Sequence, residues 1–115
     1  MQISNAAEFF DAIGARLDSD PKARAALQEI GATYQFVLNG DGGGSWSLNL
    51  AQATVRAGAD AADCTVEMAA RDFVGMVNGE EGYAGQQLFM LGKLMISGDM
   101  TLALQLESVF RQAAG

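Results

Sequence analysis

Side chains that could carry out covalent chemistry are few in this sequence. The 115-residue chain contains no histidine and a single cysteine, Cys64. A Ser-His-Asp triad and a histidine-ligated zinc site are therefore excluded. In the stretch DCTVEM, Cys64 shares one strand face with Val66 and Met68, and no histidine is present to generate its thiolate. We interpret Cys64 as a small core residue, with a Cys64-dependent hydrolase as the enzymatic alternative.

Carboxylates are the other candidate catalytic groups. Acidic residues that could include a pair for acid–base work are Asp60, Asp63, Glu67, Glu80 and Glu81. Glu80 and Glu81 are adjacent in a predicted turn, whereas Asp63 and Glu67 lie on the polar face of a predicted strand. We interpret them as solvated surface groups, so the sequence predicts no catalytic residue.

The glycine-rich stretch NGDGGGSW could suggest a phosphate or calcium site. A phosphate loop needs Gly-Lys-Ser/Thr followed by a helix, but here there is no lysine and a strand follows. A calcium loop built on Asn39 and Asp41 would need a glutamate at its twelfth position, where Leu50 stands. We interpret the stretch as a hairpin loop and predict neither a metal nor a cofactor.

Charge and composition restrict the partners. The net charge is −7, and only seven basic residues are scattered along the chain. Nucleic acid and tight docking on an anionic membrane by charge alone are therefore not expected, and at most transient membrane contact is. One cysteine allows no internal disulfide, and the chain shows no secretory signal, no membrane-length apolar run and no peroxisomal ending. We expect a single soluble, cytoplasmic domain over residues 1–115.

Methionines are concentrated in one half of the chain. Five of the six lie between Met68 and Met100, and several predicted elements contribute both methionines and aromatic residues. Methionine is unbranched and fills irregular volumes. Two interpretations follow: an ordinary core, or a deformable wall around an apolar ligand.

The elements that position these residues begin with two helices. Asn5 is expected to cap the first helix with Glu8 as its capping-box partner, and the second starts at Asp20–Pro21 and ends at Gly31. Phe9 and Phe10 open the apolar face of the first helix.

Four strands and then a mixed segment follow. Alternation predicts strands over 33–39, 45–50, 53–58 and 63–68, with a fifth over 93–97. Helical spacing predicts helices over 71–79 and 80–92, and a last helix capped by Asp99. The first strands are expected to form a meander, and the fifth strand to run parallel to the fourth through a helical crossover.

Together these patterns predict the α+β class: a mixed five-stranded sheet with helices packed on one face. Trp46 shares its strand face with Leu48 and Leu50, so it is expected to face the helices. An apolar cavity is expected between the sheet and the helices. Its gate would be the short helix carrying Phe89 and Met90, which Gly82 and Gly85 leave loosely held, and the last helix would close the opposite wall.

Four stretches in order resemble the sterol carrier protein type-two family. They are YQFVLNGDGGGSWSLNL, ADCTVEMAARDFVGMVNGE, LFMLGKL and GKLMISGDMTLALQL. The resemblance covers about residues 5–113, and its Gly-Lys-Leu, strand, Gly-Asp, helix ending matches the family pattern. It implies lipid binding without chemistry, in an apolar tunnel that holds a fatty acid, acyl chain or sterol.

The leading hypothesis is therefore non-catalytic lipid binding and transfer by a monomer or weak homodimer. The alternative is an interaction or regulatory module that uses the same apolar groove for a partner's helix or for homodimerisation. The predicted cavity residues are Phe36, Trp46, Leu48, Val66, Met68, Phe73, Met76, Val77, Phe89, Met90, Leu102, Leu106 and Phe110.

Overall fold

The computed structural model of the protein describes the backbone of residues 2–114 and the side chains of residues 2–111. The helices and strands follow one another in the order that the sequence predicts. In chain order the elements are α1 (Ala6–Ser19), α2 (Pro21–Ile30), β1 (Thr33–Asn39), β2 (Gly44–Asn49), β3 (Thr54–Ala57), β4 (Cys64–Ala69), α3 (Ala70–Asn78), α4 (Gly85–Met90), β5 (Leu94–Gly98) and α5 (Met100–Ala114).

The first two helices begin at side chains that accept hydrogen bonds from their opening turns. Asn5 Oδ1 accepts from the backbone N–H of Glu8 at 3.0 Å, as expected for a cap. The Glu8 carboxylate accepts from Ser4 N–H at 2.9 Å, so its contact lies one residue earlier than a capping box requires. Asp20 caps α2, and Gly31 ends it with a left-handed φ of 67° that suits glycine.

The five strands form one mixed sheet with the order β3-β2-β1-β4-β5. The pairs β1–β2 and β2–β3 are antiparallel, which confirms the predicted meander. The central pair, β1–β4, is parallel, with Tyr34 opposite Cys64. The fold is therefore α+β with a mixed sheet, as predicted.

The predicted parallel pairing of β4 and β5 is wrong, because these strands are antiparallel. β5 begins with Leu94 opposite Met68, near the end of β4. The α3–α4 connection thus returns the chain to the end of the sheet where β4 finished, and the next strand must run backwards. The length of the connection permits a crossover but does not require one.

The helices cover the sheet face that carries Tyr34 and Phe36. Phe10 of α1, Phe73 of α3 and Phe110 of α5 all contact Phe36, with ring centroids 5.3, 6.2 and 5.8 Å away. Helix α2 packs on α1 and α5 rather than on the sheet. The result is a sheet with helices on one face, as the sequence predicts.

The opposite face of the sheet is covered in part by the segment 58–63, which joins β3 to β4. Asp60 N–H donates to Gln35 Oε1 at 2.8 Å, and the Gln35 amide donates to the Gly58 carbonyl at 3.2 Å. Ser47 Oγ lies 3.3 Å from Asp60 Oδ2. Gln35 and Ser47 are therefore buried although they lie on the polar face.

Candidate functional site

Most of the predicted cavity residues meet in one cluster between sheet and helices. Eleven of the thirteen belong to this interior cluster, and two do not. Its buried predicted members are Phe36, Leu48, Val66, Met68, Phe73 and Leu106, and its partly buried ones are Trp46, Met76, Val77, Leu102 and Phe110. Side chains from β1, β2, β4, α3 and α5 thus converge as expected.

The two predicted residues of α4 lie outside this cluster. Phe89 is 47% exposed and Met90 is 78% exposed, whereas Leu88 is buried. Successive residues of an α-helix are about 100° apart, so the six-residue α4 can turn little more than one side chain inwards. In this structure Phe89 and Met90 therefore lie on the surface, and their predicted role in lining a ligand site stays a prediction.

Two residues of α1 are central to the cluster but were not predicted as site residues. Phe10 stacks on Trp46 with ring centroids 4.7 Å apart and an interplanar angle of 11°. Phe9 contacts Phe73 at 5.2 Å and Phe110 at 5.1 Å. Their helical spacing indicated a buried face, but nothing in the sequence showed that α1 rather than α4 covers the sheet. The stack also confirms that Trp46 faces the helices.

Aromatic rings fill the space in which the sequence predicts an open cavity. Phe36 and Phe73 have no measurable exposure, and Phe10 packs between Phe73 and Trp46. Two pockets along the described chain lie elsewhere and are open to solvent. One, of about 270 Å³, is on the opposite sheet face beside Ser47, Arg56 and Asp60. The other, of about 550 Å³, is a surface groove between α2 and α5.

One buried polar contact joins the sheet to α5. The Tyr34 hydroxyl donates to the backbone carbonyl of Leu102 at 2.6 Å. Burial, assisted by nearby Cys64 and Asp99, raises the pKa of Tyr34 from 10.0 to about 12. Tyr34 therefore remains a neutral hydrogen-bond donor at physiological pH.

Cys64 is a buried thiol rather than an activated nucleophile. Its side chain has no measurable exposure, and burial together with Asp99 raises the pKa of the thiol above its ordinary value. A higher pKa leaves less thiolate at neutral pH. The geometry agrees with the interpretation of Cys64 as a core residue.

Two of the candidate carboxylates bind backbone or hydroxyl groups. Asp63 accepts from Thr33 N–H at 3.0 Å, and Asp60 contacts Ser47 as described above. In the part of the chain that the structure describes, no three His, Cys, Asp or Glu side chains are grouped in a way that could hold a metal ion. Among residues 2–114, no helix combines the length and the hydropathy needed to cross a bilayer.

The comparisons with known proteins agree with this arrangement of helices on a mixed sheet. The sequence profile of the SCP-2 sterol transfer family matches residues 10–111. The chain therefore belongs to the SCP-2 sterol transfer family.

Proteins of two kinds are similar to this chain in sequence. Oleate-induced peroxisomal protein POX18 of Candida maltosa is 33% identical over 114 residues, which cover 94% of this chain and 88% of that protein. Hydroxysteroid dehydrogenase-like protein 2 of Mus musculus is 36% identical over 101 residues, which cover 84% of this chain. The aligned part makes up 20% of the length of this second relative.

Solved structures show the same fold. Sterol carrier protein 2 of Yarrowia lipolytica, in its apo form, superposes with a TM-score of 0.77 at 26% identity, covering 92% of this chain and 89% of that one. Sterol carrier protein 2 of Aedes aegypti in complex with palmitate gives a TM-score of 0.64 at 17% identity, covering 90% and 96%. At that identity the second likeness establishes the fold alone.

Proposed function

We propose that the protein binds a lipid with a long apolar chain between its sheet and its helices, and transfers it without chemical change. The observation that supports this most directly is the interior cluster, which lies between the two layers in a member of a sterol transfer family. None of the eleven predicted residues in the cluster is ionisable, so a ligand there is held by apolar burial. Each buried CH₂ contributes about 0.8 kcal/mol.

Binding requires the rings of the interior cluster to separate. Helix α4 has six residues and no side-chain cap at its first turn; it begins at Gly85, and Gly92 follows two residues after its end. Helix α5 is joined to the sheet by the Tyr34–Leu102 hydrogen bond and by packing around Leu106 and Phe110. Movement of these two helices away from the sheet would open the cluster, and Met68 and Met76 could adjust to different ligand shapes.

Titration with a fluorescent palmitate analogue tests the proposal. Palmitate is the first probe because it occupies the Aedes aegypti protein of the same fold. We expect saturable binding with a Kd of about micromolar, since the gain from burying the chain is offset by the disruption of a packed core. Native mass spectrometry of gently purified protein should show a monomer that carries one lipid-sized adduct.

A panel of fatty acids of several lengths and of sterols serves as the comparison. Competition by long chains but not by short ones would support apolar burial as the source of affinity. Absence of saturable binding across the whole panel would refute the proposal.

The second candidate function is an interaction module. It is favoured by the open groove between α2 and α5, which Ile30 and Leu102 line together with polar residues. A partner's amphipathic helix could lie there. A lipid-free dimer in native mass spectrometry would favour this candidate over the carrier.

Domain organisation and location complete the proposal. We take residues 1–115 to act as one domain, and the single buried Cys64 suits a reducing cytoplasm. The relative from Candida maltosa is a peroxisomal protein by its name. Fluorescence microscopy of the tagged protein in its own cells distinguishes the two locations.

A further inference from the structure

A small pocket lined by polar side chains, which we call the polar pocket, lies on the sheet face opposite the interior cluster. It is open to solvent and has a volume of about 270 Å³. The polar side chains that line it include Thr33, Ser47, Asn49, Thr54, Arg56 and Asp60. Because the sheet separates it from the interior cluster, a ligand bound here would be distinct from the lipid.

The floor of the polar pocket follows from the register of the strands. Two rows of side chains cross β1, β2 and β3 on this face, Gln35–Ser47–Arg56 and Thr33–Asn49–Thr54. Alternate residues of a strand share a face, so both rows point away from the buried rings of Tyr34 and Phe36. The fold thus places hydroxyl, amide and guanidinium groups side by side on one surface.

The segment 58–63 forms a fixed wall over this floor. Gln35 accepts a hydrogen bond from Asp60 N–H at 2.8 Å and donates one to the Gly58 carbonyl at 3.2 Å. Backbone hydrogen bonds from Gly58 and Asp63 tie both ends of the segment to the sheet, at 2.8 and 3.0 Å. Gln35 is only 4% exposed, so its hydrogen bonds are shielded from water. The polar pocket is therefore preformed, which lowers the entropy cost of binding.

Two opposite charges line the polar pocket without pairing. Arg56 is the cross-strand neighbour of Ser47, and Asp60 Oδ2 lies 3.3 Å from Ser47 Oγ. Both charged side chains belong to the described part of the chain, where no ion pair joins them. An arginine and a carboxylate that share a pocket in this way can each bind a different charged group of one ligand.

Neighbouring acidic groups disfavour a simple anion. The Asp63 carboxylate accepts from a backbone N–H of β1 at 3.0 Å, and Glu67 contacts the side-chain amide at the end of β1 at 3.2 Å. Together with Asp60 these groups outnumber the positive charge of Arg56. An inorganic anion would be repelled by the carboxylates, and a simple cation by the guanidinium. A zwitterion satisfies both charges and adds no net charge.

We propose that the polar pocket binds a small polar α-amino acid. The ligand carboxylate accepts hydrogen bonds from Arg56, and the ligand ammonium donates to Asp60. Both groups of an α-amino acid are attached to one carbon, which suits two side chains that both lie beside Ser47. The volume is below the roughly 300–1,000 Å³ of sites for drug-sized ligands, in agreement with a small ligand. This inference does not rest on the proposed function.

Titration of the full chain with L-serine and with L-glutamine, followed by two-dimensional amide NMR, tests the proposal. We expect saturable shifts at Ser47, Asn49, Arg56 and Asp60, with a Kd of about millimolar because the ligand is small and the pocket is open. N-acetyl-L-serine lacks the ammonium, and L-serinamide lacks the carboxylate. Each analogue should bind about tenfold more weakly than L-serine.

Two variants assign the binding to the charged pair. Arg56→Gln and Asp60→Asn each remove one charge from an exposed side chain, and each should weaken L-serine binding about tenfold. The matched controls are Arg71→Gln on α3 and Asp41→Asn in the hairpin loop, which make the same charge changes at exposed positions elsewhere. Urea unfolding checks that all four variants fold. Palmitate titration tests the proposed function separately, since its failure leaves the L-serine result unaffected.

Four results would overturn the inference. The first is failure of both amino acids to shift the four amides. The second is binding of either analogue as tightly as L-serine, which would show that one of the two charges is not recognised. The third is an equal response to inorganic phosphate, which would make the pocket a simple anion site. The fourth is wild-type affinity for L-serine in the variants at Arg56 and Asp60.

Discussion

At the scale of single residues, Tyr34 makes a polar contact between the sheet and α5. Its ring is fully buried on β1, and its hydroxyl reaches the Leu102 carbonyl of α5. A buried hydrogen bond of this kind contributes about 0.5–1.5 kcal/mol net. Its larger effect is on order, because it fixes the position of α5 relative to the sheet.

Replacement of Tyr34 by phenylalanine should loosen α5 without unfolding the protein. We expect the free energy of unfolding to fall by about 0.5–1.5 kcal/mol in urea titrations, because only the hydroxyl is lost. Amide hydrogen exchange in α5 should accelerate more than exchange in β1. Tyr83→Phe, at a partly buried tyrosine, is the control. Unchanged exchange in α5 would contradict the role assigned to Tyr34.

Alkaline pH provides a second test of the same contact. The pKa of Tyr34 in the folded protein, about 12, lies above its ordinary value of 10.0. The folded state therefore retains a proton that the unfolded state loses first, and this contribution to stability is complete below pH 10 and is lost as the pH rises towards 12. Tyr34→Phe should flatten this part of the stability profile.

At the scale of elements, the turns on either side of β5 have different requirements. Gly98 ends β5 with φ 96°, and a Cβ there would collide with the Asp63 carbonyl. Gly92 precedes β5 with φ 75°, but a Cβ there would meet open space. The Gly98 turn is therefore both conformationally strained for other residues and closely packed, because it brings the start of α5 against the start of β4.

Gly98→Ala should destabilise the protein by more than the roughly 1 kcal/mol expected from a left-handed φ alone, because a backbone collision is added. Urea unfolding of both variants separates the two costs: Gly92→Ala reports the left-handed φ alone, and Gly98→Ala reports the φ together with the backbone collision. Gly14→Ala, within α1 and with free space around it, is expected to stabilise by about 0.5–1 kcal/mol. If the two variants lose the same free energy of unfolding, the Gly98 turn has shifted to relieve the predicted collision.

The elements were easier to predict than their pairing. The caps at Asn5, Asp20 and Asp99 and the period-two strands follow from local chemistry, and the structure confirms them. The orientation of β5 depends on where α3 and α4 return the chain, which no local pattern encodes. The exposure of Phe89 could not be predicted for a related reason. Helix α4 has only six residues, so the spacing of its apolar residues does not indicate which side is buried.

At the scale of the whole molecule, the two layers are separated by a packed core. The predicted residues converge there, but rings of α1 that the sequence assigned only to a helix face occupy the centre. Residue type indicates that a side chain is buried, and it does not indicate whether the buried volume is empty. The interior cluster could therefore be predicted as a set of buried residues, whereas its role as a ligand site stays a prediction.

Leu106→Trp tests whether ligands enter this packed space. Leu106 is buried on the inner side of α5, so we expect overpacking to cost about 1–3 kcal/mol of stability and to weaken palmitate binding. Leu104→Trp on the exposed side of the same helix is the matched control, with stability and palmitate affinity preserved. Thermal melts and palmitate titrations measure both effects. A large loss of stability with unchanged palmitate affinity would place the ligand elsewhere.

The parallel pairing of β1 with β4 determines how the chain reaches this fold. The β1–β2 hairpin pairs residues close in sequence, beginning with Leu38 opposite Gly44. The pairing of β1 with β4 instead joins residues about thirty positions apart, such as Thr33 and Asp63. Closing the longer loop costs more chain entropy before any contact compensates for it. We therefore expect the pairing of β1 with β4 to limit the rate of folding. Stopped-flow refolding of the wild type measures the overall folding rate.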